Sequence, residues 1–207
     1  MIERLKNKFG VNQPIFTNEI IKEMNNYSRP RVFQLLKKAE QENKIAKYDK
    51  GVYYIPTKTR YGISTISVEQ VVEKKYLRDK NNIFGIYAGL QMKQNFLLTY
   101  QVPTAIEVIT NNESMWLRET MVRNRRVIIR KSRLPITKEN VDTYIILELF
   151  TNINLKDYKE DESVRREIIQ YIKEKSLKLK DIIAISSVFP SKTIKNIMES
   201  GIINEFA

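Results

Sequence analysis

Between Ser28 and Gln41 the chain reads SRPRVFQLLKKAEQ, with Arg29, Arg31, Gln34, Lys37, Lys38 and Gln41 set among apolar residues at helical spacing. Arginine pairs bidentately with guanine, glutamine with adenine, and lysine meets phosphate, so these types on one helix face suit a DNA major groove. Val32, Leu35, Leu36 and Ala39 fall at i, i+3, i+4 and i+7 and predict the buried stripe. The opposite side then carries Arg31, Gln34, Lys37, Lys38 and Gln41, and no acid is expected on it. Ser28 is the expected N-cap, with Arg29 and Pro30 in the first turn, where the missing proline N–H costs nothing. Lys44, Lys47 and Lys50 follow on a β-prone stretch, placed for phosphate contacts that set register without reading bases. A solvated helix face also carries charges, and a basic hairpin can simply close a small core. The hairpin alternative explains the strands but not the run of lysines, and the solvated-face reading of the helix stays open.

A second basic run is Arg123, Arg125, Arg126, Arg130, Lys131 and Arg133. If Val127 and Ile129 point inward, Arg126, Ile128 and Arg130 share the outer face of a strand, with Arg123 and Arg125 in the turn before it. This is read as a second anion or partner surface; the rival reading is a strand edge kept basic against aggregation. The acids Asp157, Glu160, Asp161 and Glu162 form the one cluster in which a metal can be imagined. With Lys156 and Lys159 between them, a solvated linker or helix start is the expected role, and no metal and no cofactor are assigned.

Cysteine and histidine are both absent, which removes disulfides, the common zinc ligand sets and every Cys/His or Ser/His nucleophile arrangement. No phosphate-binding glycine loop, dinucleotide fingerprint or nucleophile elbow occurs, so no catalytic residue is named. The net charge of +12 favours an anionic partner, and residues 1–60 hold 13 Lys/Arg against 6 Asp/Glu, net +7. The first residues, MIERLKNKFG, lack an apolar core, and no apolar run approaches a membrane span. A cytoplasmic location with no membrane partner is the expectation.

The elements that must position these residues follow from hydrophobic period and punctuation. Ile2, Leu5 and Phe9 predict a helix ended by Gly10, and Pro14–Phe16 a short extended approach. Thr17 is expected to cap a helix carrying Ile20, Ile21 and Met24, which with the Ser28 helix makes a helix-turn-helix. KIAKY and VYYI, joined at Asp49-Lys50-Gly51, predict a hairpin wing. Pro56–Gly62 has two breakers and no period and is the expected boundary, giving domains at 1–60 and 63–207. Beyond it, Ser67 caps a helix, and a small antiparallel or mixed sheet spans about 83–131, with strands at Ala105–Thr110, Met115–Val122 and Arg126–Lys131. Helices follow over about 138–200, the first capped by Thr137. The closing pair, with Ser191 as cap and Gly201 as stop, loosely echoes the amino-terminal helix-turn-helix and is read as packing. The expected class is α+β: a winged helix-turn-helix followed by a mixed α/β domain with a small sheet and C-terminal helices.

The wing end GVYYIP, then IYAGLQMKQNFLLTYQVPTAIEVITNN, the basic strand VIIRKSRLPITKENV and the helix TYIILELF resemble AbiEi-type antitoxins of type IV, abortive-infection toxin–antitoxin pairs. The likeness spans about residues 15–150. It rests on Ala88-Gly89, Thr99-x-Gln101-Val102-Pro103, Thr110-Asn111 and Ile136-Thr137-x-Glu139-Asn140. The resemblance implies an autorepressor that binds inverted repeats in duplex operator DNA as a monomer or weak dimer, cooperatively. It further implies a C-terminal domain that counters a nucleotidyltransferase-like toxin, with or without direct contact. Arg29, Arg31, Gln34, Lys37 and Lys38 take the recognition-helix role, Lys47 and Lys50 the wing role, and Arg125, Arg126 and Arg130 the basic face. The alternatives are a winged-helix regulator with an effector-binding C-terminal domain and a divergent metal-dependent nuclease.

Overall fold

A helix that begins the chain, α1 (Ile2–Phe9), buries Leu5 and stops where Gly10 turns to φ 82° and its N–H returns to Lys6 O. The computed structural model describes residues 1–80 and 82–206. The architecture is α+β, in two compact units: Met1–Lys75 with Val122–Asn124, and Tyr76–Met121 with Arg125–Ala207.

In the first unit the expected extended approach is a strand, β1 (Ile15–Phe16), followed by α2 (Thr17–Glu23) and α3 (Arg29–Gln41). The hairpin β2 (Ala46–Asp49) and β3 (Val52–Tyr54) comes next, and the sheet order is β1–β3–β2, all antiparallel. Ile15 pairs with Tyr53 and Ala46 with Tyr54. Because β3 is the central strand, Val52, Tyr53 and Tyr54 are all buried. The core under this sheet gathers Leu5, Ile15, Ile20, Met24, Val32 and Leu36. Gly51 sits at the turn with φ 77°, a left-handed conformation that L side chains rarely adopt.

One expected cap is corrected, and a second holds in position without its side-chain bond. Thr17 does not cap α2: it is the first helical residue, and its hydroxyl donates to Gly51 O at 3.2 Å. The Glu19 carboxylate, at N3, accepts the Phe16 N–H at 2.7 Å, the half of a capping box that meets the N-cap residue's own donor. Ser28 holds the extended N-cap conformation at the head of α3, yet its side chain makes no cap hydrogen bond among the described residues.

The expected boundary at Pro56–Gly62 lies inside the first unit. It folds as a hairpin, β4 (Lys58–Thr59) and β5 (Gly62–Ile63), tied back to the unit through Ser64, Thr57 and Asn12. After it, Ser67 and Gln70 form a reciprocal capping box at α4 (Val68–Val72), as its sequence predicts, and the helix runs on as a π turn over Glu73–Leu77.

The second unit opens with the paired β6 (Arg78–Asp79) and β7 (Asn82–Ile83). The break expected over Asp79–Asn82 includes Asn81, which lies outside the described residues. β8 (Gly85–Tyr87), α5 (Gly89–Asn95), β9 (Ala105–Thr110), β10 (Leu117–Val122) and β11 (Arg125–Lys131) follow. The sheet order is β10–β11–β9–β8, with β9 and β11 parallel and β8 antiparallel to β9, so the sheet is mixed.

Next comes α6 (Val141–Asn152), apolar on nearly every side, with Tyr144, Ile146, Leu147, Leu149 and Phe150 buried, the pattern of a central helix. It starts later than expected: Thr137 lies in the turn ahead of it, where its O accepts the Val141 N–H. α7 (Leu155–Glu160), α8 (Glu162–Glu174), α9 (Leu179–Ser186) and α10 (Ser191–Ser200) surround it, and α10 ends at Gly201 with φ 76°. The closing pair packs: α10 lies on α6, where Asn196 donates to Phe150 O at 2.7 Å and Thr151 meets Thr193 at 2.8 Å.

Candidate nucleic-acid interface

The outer surface of α3 is set by what its other side buries. Val32 and Leu36 are at most 2% exposed and Ala39 is buried, while Leu35 is half-buried at the margin of the stripe. Ser28, Arg29, Arg31, Gln34, Lys37, Lys38 and Gln41 are consequently all exposed. Arg31 Nη1 donates to Gln34 Oε1 at 3.1 Å, so the two side chains suited to base edges are already joined before any ligand arrives.

The face is not free of acid. Glu42, directly after the helix, lies 4.0 Å from Lys38 Nζ and 2.7 Å from Lys44 Nζ. The hydrogen bond from Lys44 holds the Glu42 carboxyl below the usual carboxylate range. Helical period explains the correction: position 42 follows 31 by eleven residues, about three full turns, and so returns to the same side.

Along the β2–β3 hairpin and just before it, Lys44, Lys47 and Lys50 are exposed. Asp49 accepts the Lys50 N–H at 2.6 Å through Oδ1 and the Arg123 N–H at 2.7 Å through Oδ2. Arg29, Lys37, Lys47 and Lys50 carry no ion pair among the described residues, and these are the cations most available to phosphate.

The second basic run does not form one open face. Arg123 belongs to the first unit, where its guanidinium stacks on Tyr48 at 4.5 Å. Arg125 donates to Pro103 O at 2.9 Å, and Arg126 makes a two-pronged pair with Glu119 at 2.9 and 2.5 Å. Arg130 pairs with the buried Glu148 at 3.1 Å. Arg133 lies over the rings of Trp116 and Phe189, leaving Lys131 as an exposed cation. Val127 and Ile129 do point inward, with neither exposed. The alternation is as expected, but Arg125, Arg126 and Arg130 each engage a partner of their own, on a loop, the neighbouring strand and α6 respectively.

The acidic cluster is likewise engaged. Asp157 accepts from Asn154, Asp161 caps α8 through the Ser163 and Val164 N–H groups, and Glu160 and Glu162 pair with Lys156 and Arg166. Among the described residues no three acids gather into a metal-holding group. Also among them, no helix is long and apolar enough to cross a membrane.

The second unit holds a half-open cleft of about 380 Å³ between α5, the sheet and α6, lined by Met92, Lys93, Glu107, Ile128, Arg130 and Leu149 among others. The sequence carries no signal for it, since its walls come from elements distant along the chain. The exposed residues of the β4–β5 hairpin were also missed. Their signal was the absence of any acid between Asp49 and Glu69. Compared with models of known protein families and with curated proteins, the chain matches none.

Proposed function

We propose that the first unit is a winged helix-turn-helix that binds duplex DNA, with α3 in the major groove and the β2–β3 wing on the backbone. The observation that carries this reading is the outer side of α3, where Arg31, Gln34, Lys37, Lys38 and Gln41 are all exposed over a buried apolar stripe. Within that class, the motif order of residues 15–150 supports an AbiEi-type antitoxin. Such a protein represses its own operon in the cytoplasm, and its second unit counters a nucleotidyltransferase-like toxin without a catalytic step. Co-expression with the adjacent gene tests this: an antitoxin restores growth that the neighbour alone arrests, and continued arrest refutes the role.

A second reading has one observation in its favour. The cleft in the second unit supports a regulator whose DNA affinity responds to a small effector. Growth rescue separates the two, because an effector-responsive regulator does not relieve toxicity.

A further inference from the structure

The β4–β5 hairpin is built as a stiff projection rather than a linker. At its root, Thr57 N donates to Ser64 Oγ at 2.8 Å, Ser64 N to Thr57 O at 2.9 Å, and Asn12 Nδ2 to Thr57 Oγ1 at 3.0 Å. Tyr54 Oη, from the central wing strand, donates to Ser64 O at 3.2 Å. At its tip, Thr59 Oγ1 donates to Gly62 O at 2.9 Å and accepts the Tyr61 N–H at 3.3 Å.

What this scaffold presents is chemically odd for a turn. Two-residue hairpin loops favour Asn, Asp and Gly, whereas here Arg60 and Tyr61 occupy the tip. Tyr61 is 95% exposed and Ile63 62% exposed, so neither contributes appreciably to the core. Lys58 and Arg60 precede Tyr61 on the same arm of the hairpin, both exposed, and no acid occurs in the sequence between Asp49 and Glu69. An exposed aromatic beside two exposed cations matches what a minor groove offers, phosphates on its rim and, within, base steps that a ring can wedge open.

We propose that this hairpin is a second DNA arm: Lys58 and Arg60 contact phosphates, and Tyr61 enters the minor groove beside the tract that α3 reads. The proposal rests on the duplex-DNA reading above. It adds contacts outside the recognition helix and the wing.

The full chain is titrated into a labelled duplex taken from upstream of its own gene across a salt series, with Lys58→Ala/Arg60→Ala, Tyr61→Ala, Tyr61→Phe and Arg31→Ala alongside. Two lost phosphate contacts make the slope of log K against log salt shallower by about 1.8. Tyr61→Ala weakens binding about fivefold, the low end for an aromatic ring against a base, while Tyr61→Phe keeps the ring and the affinity. All four sites are exposed, and circular dichroism verifies each fold. If the hairpin variants match the parent in affinity and slope while Arg31→Ala weakens binding, the arm is refuted and the recognition helix stands. If the parent itself leaves the duplex unbound at low salt, both fall.

Discussion

Glu42 Oε2 lies 2.7 Å from Lys44 Nζ, joining the end of α3 to the residues that lead into the β2–β3 hairpin. The same carboxylate stands 4.0 Å from Lys38 Nζ. One acid thus sits beside two cations, and under the proposed DNA reading it holds both back from phosphate and repels the backbone itself.

Glu42→Gln is therefore expected to raise duplex affinity. If Lys44 is released to a phosphate, the salt slope steepens by about 0.9. An anisotropy titration at two salt concentrations reads both changes. Unaltered affinity would mean that the α3–wing junction lies off the DNA.

Glu148 is 1% exposed and holds Arg130 at 3.1 Å and Asn152 Nδ2 at 3.0 Å. Removing one partner of a buried pair leaves the other charge without compensation, so Glu148→Ala should destabilise the chain by about 3 kcal/mol. Replacing both members by Met should recover much of the loss, since packed apolar residues can substitute for such a pair. Urea unfolding midpoints test this, and a single variant as stable as the parent would argue that Arg130 is held by solvent alone.

Gly85 lies where β8 passes close to other backbone. A Cβ there would fall 2.1 Å from Tyr76 O and 2.7 Å from Ile109 O. Neither carbonyl is a flexible side-chain end, so strand β8 must shift. Gly85→Ala should cost about 2 kcal/mol, in the range of overpacked interiors. Thermal unfolding would show it, and an unchanged midpoint would contradict the close approach.

Tyr171 is pushed well above the ordinary phenol range, first by burial and then by donating its hydroxyl to Asp142 Oδ1 at 2.6 Å. Its unfolded value is about 10. Above that pH the unfolded chain releases a proton that the folded chain retains, so stability is fully present below about pH 10 and falls as pH rises beyond it. Tyr171→Phe keeps the ring and removes the titration, so its stability should decline less steeply between about pH 10 and 12. Equal slopes for the two proteins would contradict the assignment.

Much of the fold was legible because local chemistry decided it. Ala105–Thr110 announced itself by β-branched residues and a following Asn-Asn turn, and Ser67 with Gln70 by capping-box spacing. The acid at Glu42 was legible too, since helical period alone brings it to the face of Arg31. The fate of the arginines was not. Arg126 meets Glu119 through the register of the short β10–β11 hairpin, and Arg130 finds Glu148 on a later helix, a meeting that no local spacing reports. The segment around Lys58 to Ile63 misled for the opposite reason. Proline and glycine there marked a turn, but whether a turn ends a domain depends on Ser64 and Asn12 closing it from 52 residues apart.

The central claim is that α3 and the wing bind duplex DNA, and its most direct measurement is the salt dependence of binding to the duplex upstream of the protein's own gene. With Arg29, Lys37, Lys47 and Lys50 on four phosphates and Lys58 and Arg60 on two more, log K against log salt should slope at about −5.4. Arg31→Ala with Gln34→Ala should cost at least about tenfold on that duplex, as loss of one bidentate base contact would. A flat salt dependence, or undiminished binding by the double variant, would contradict the account.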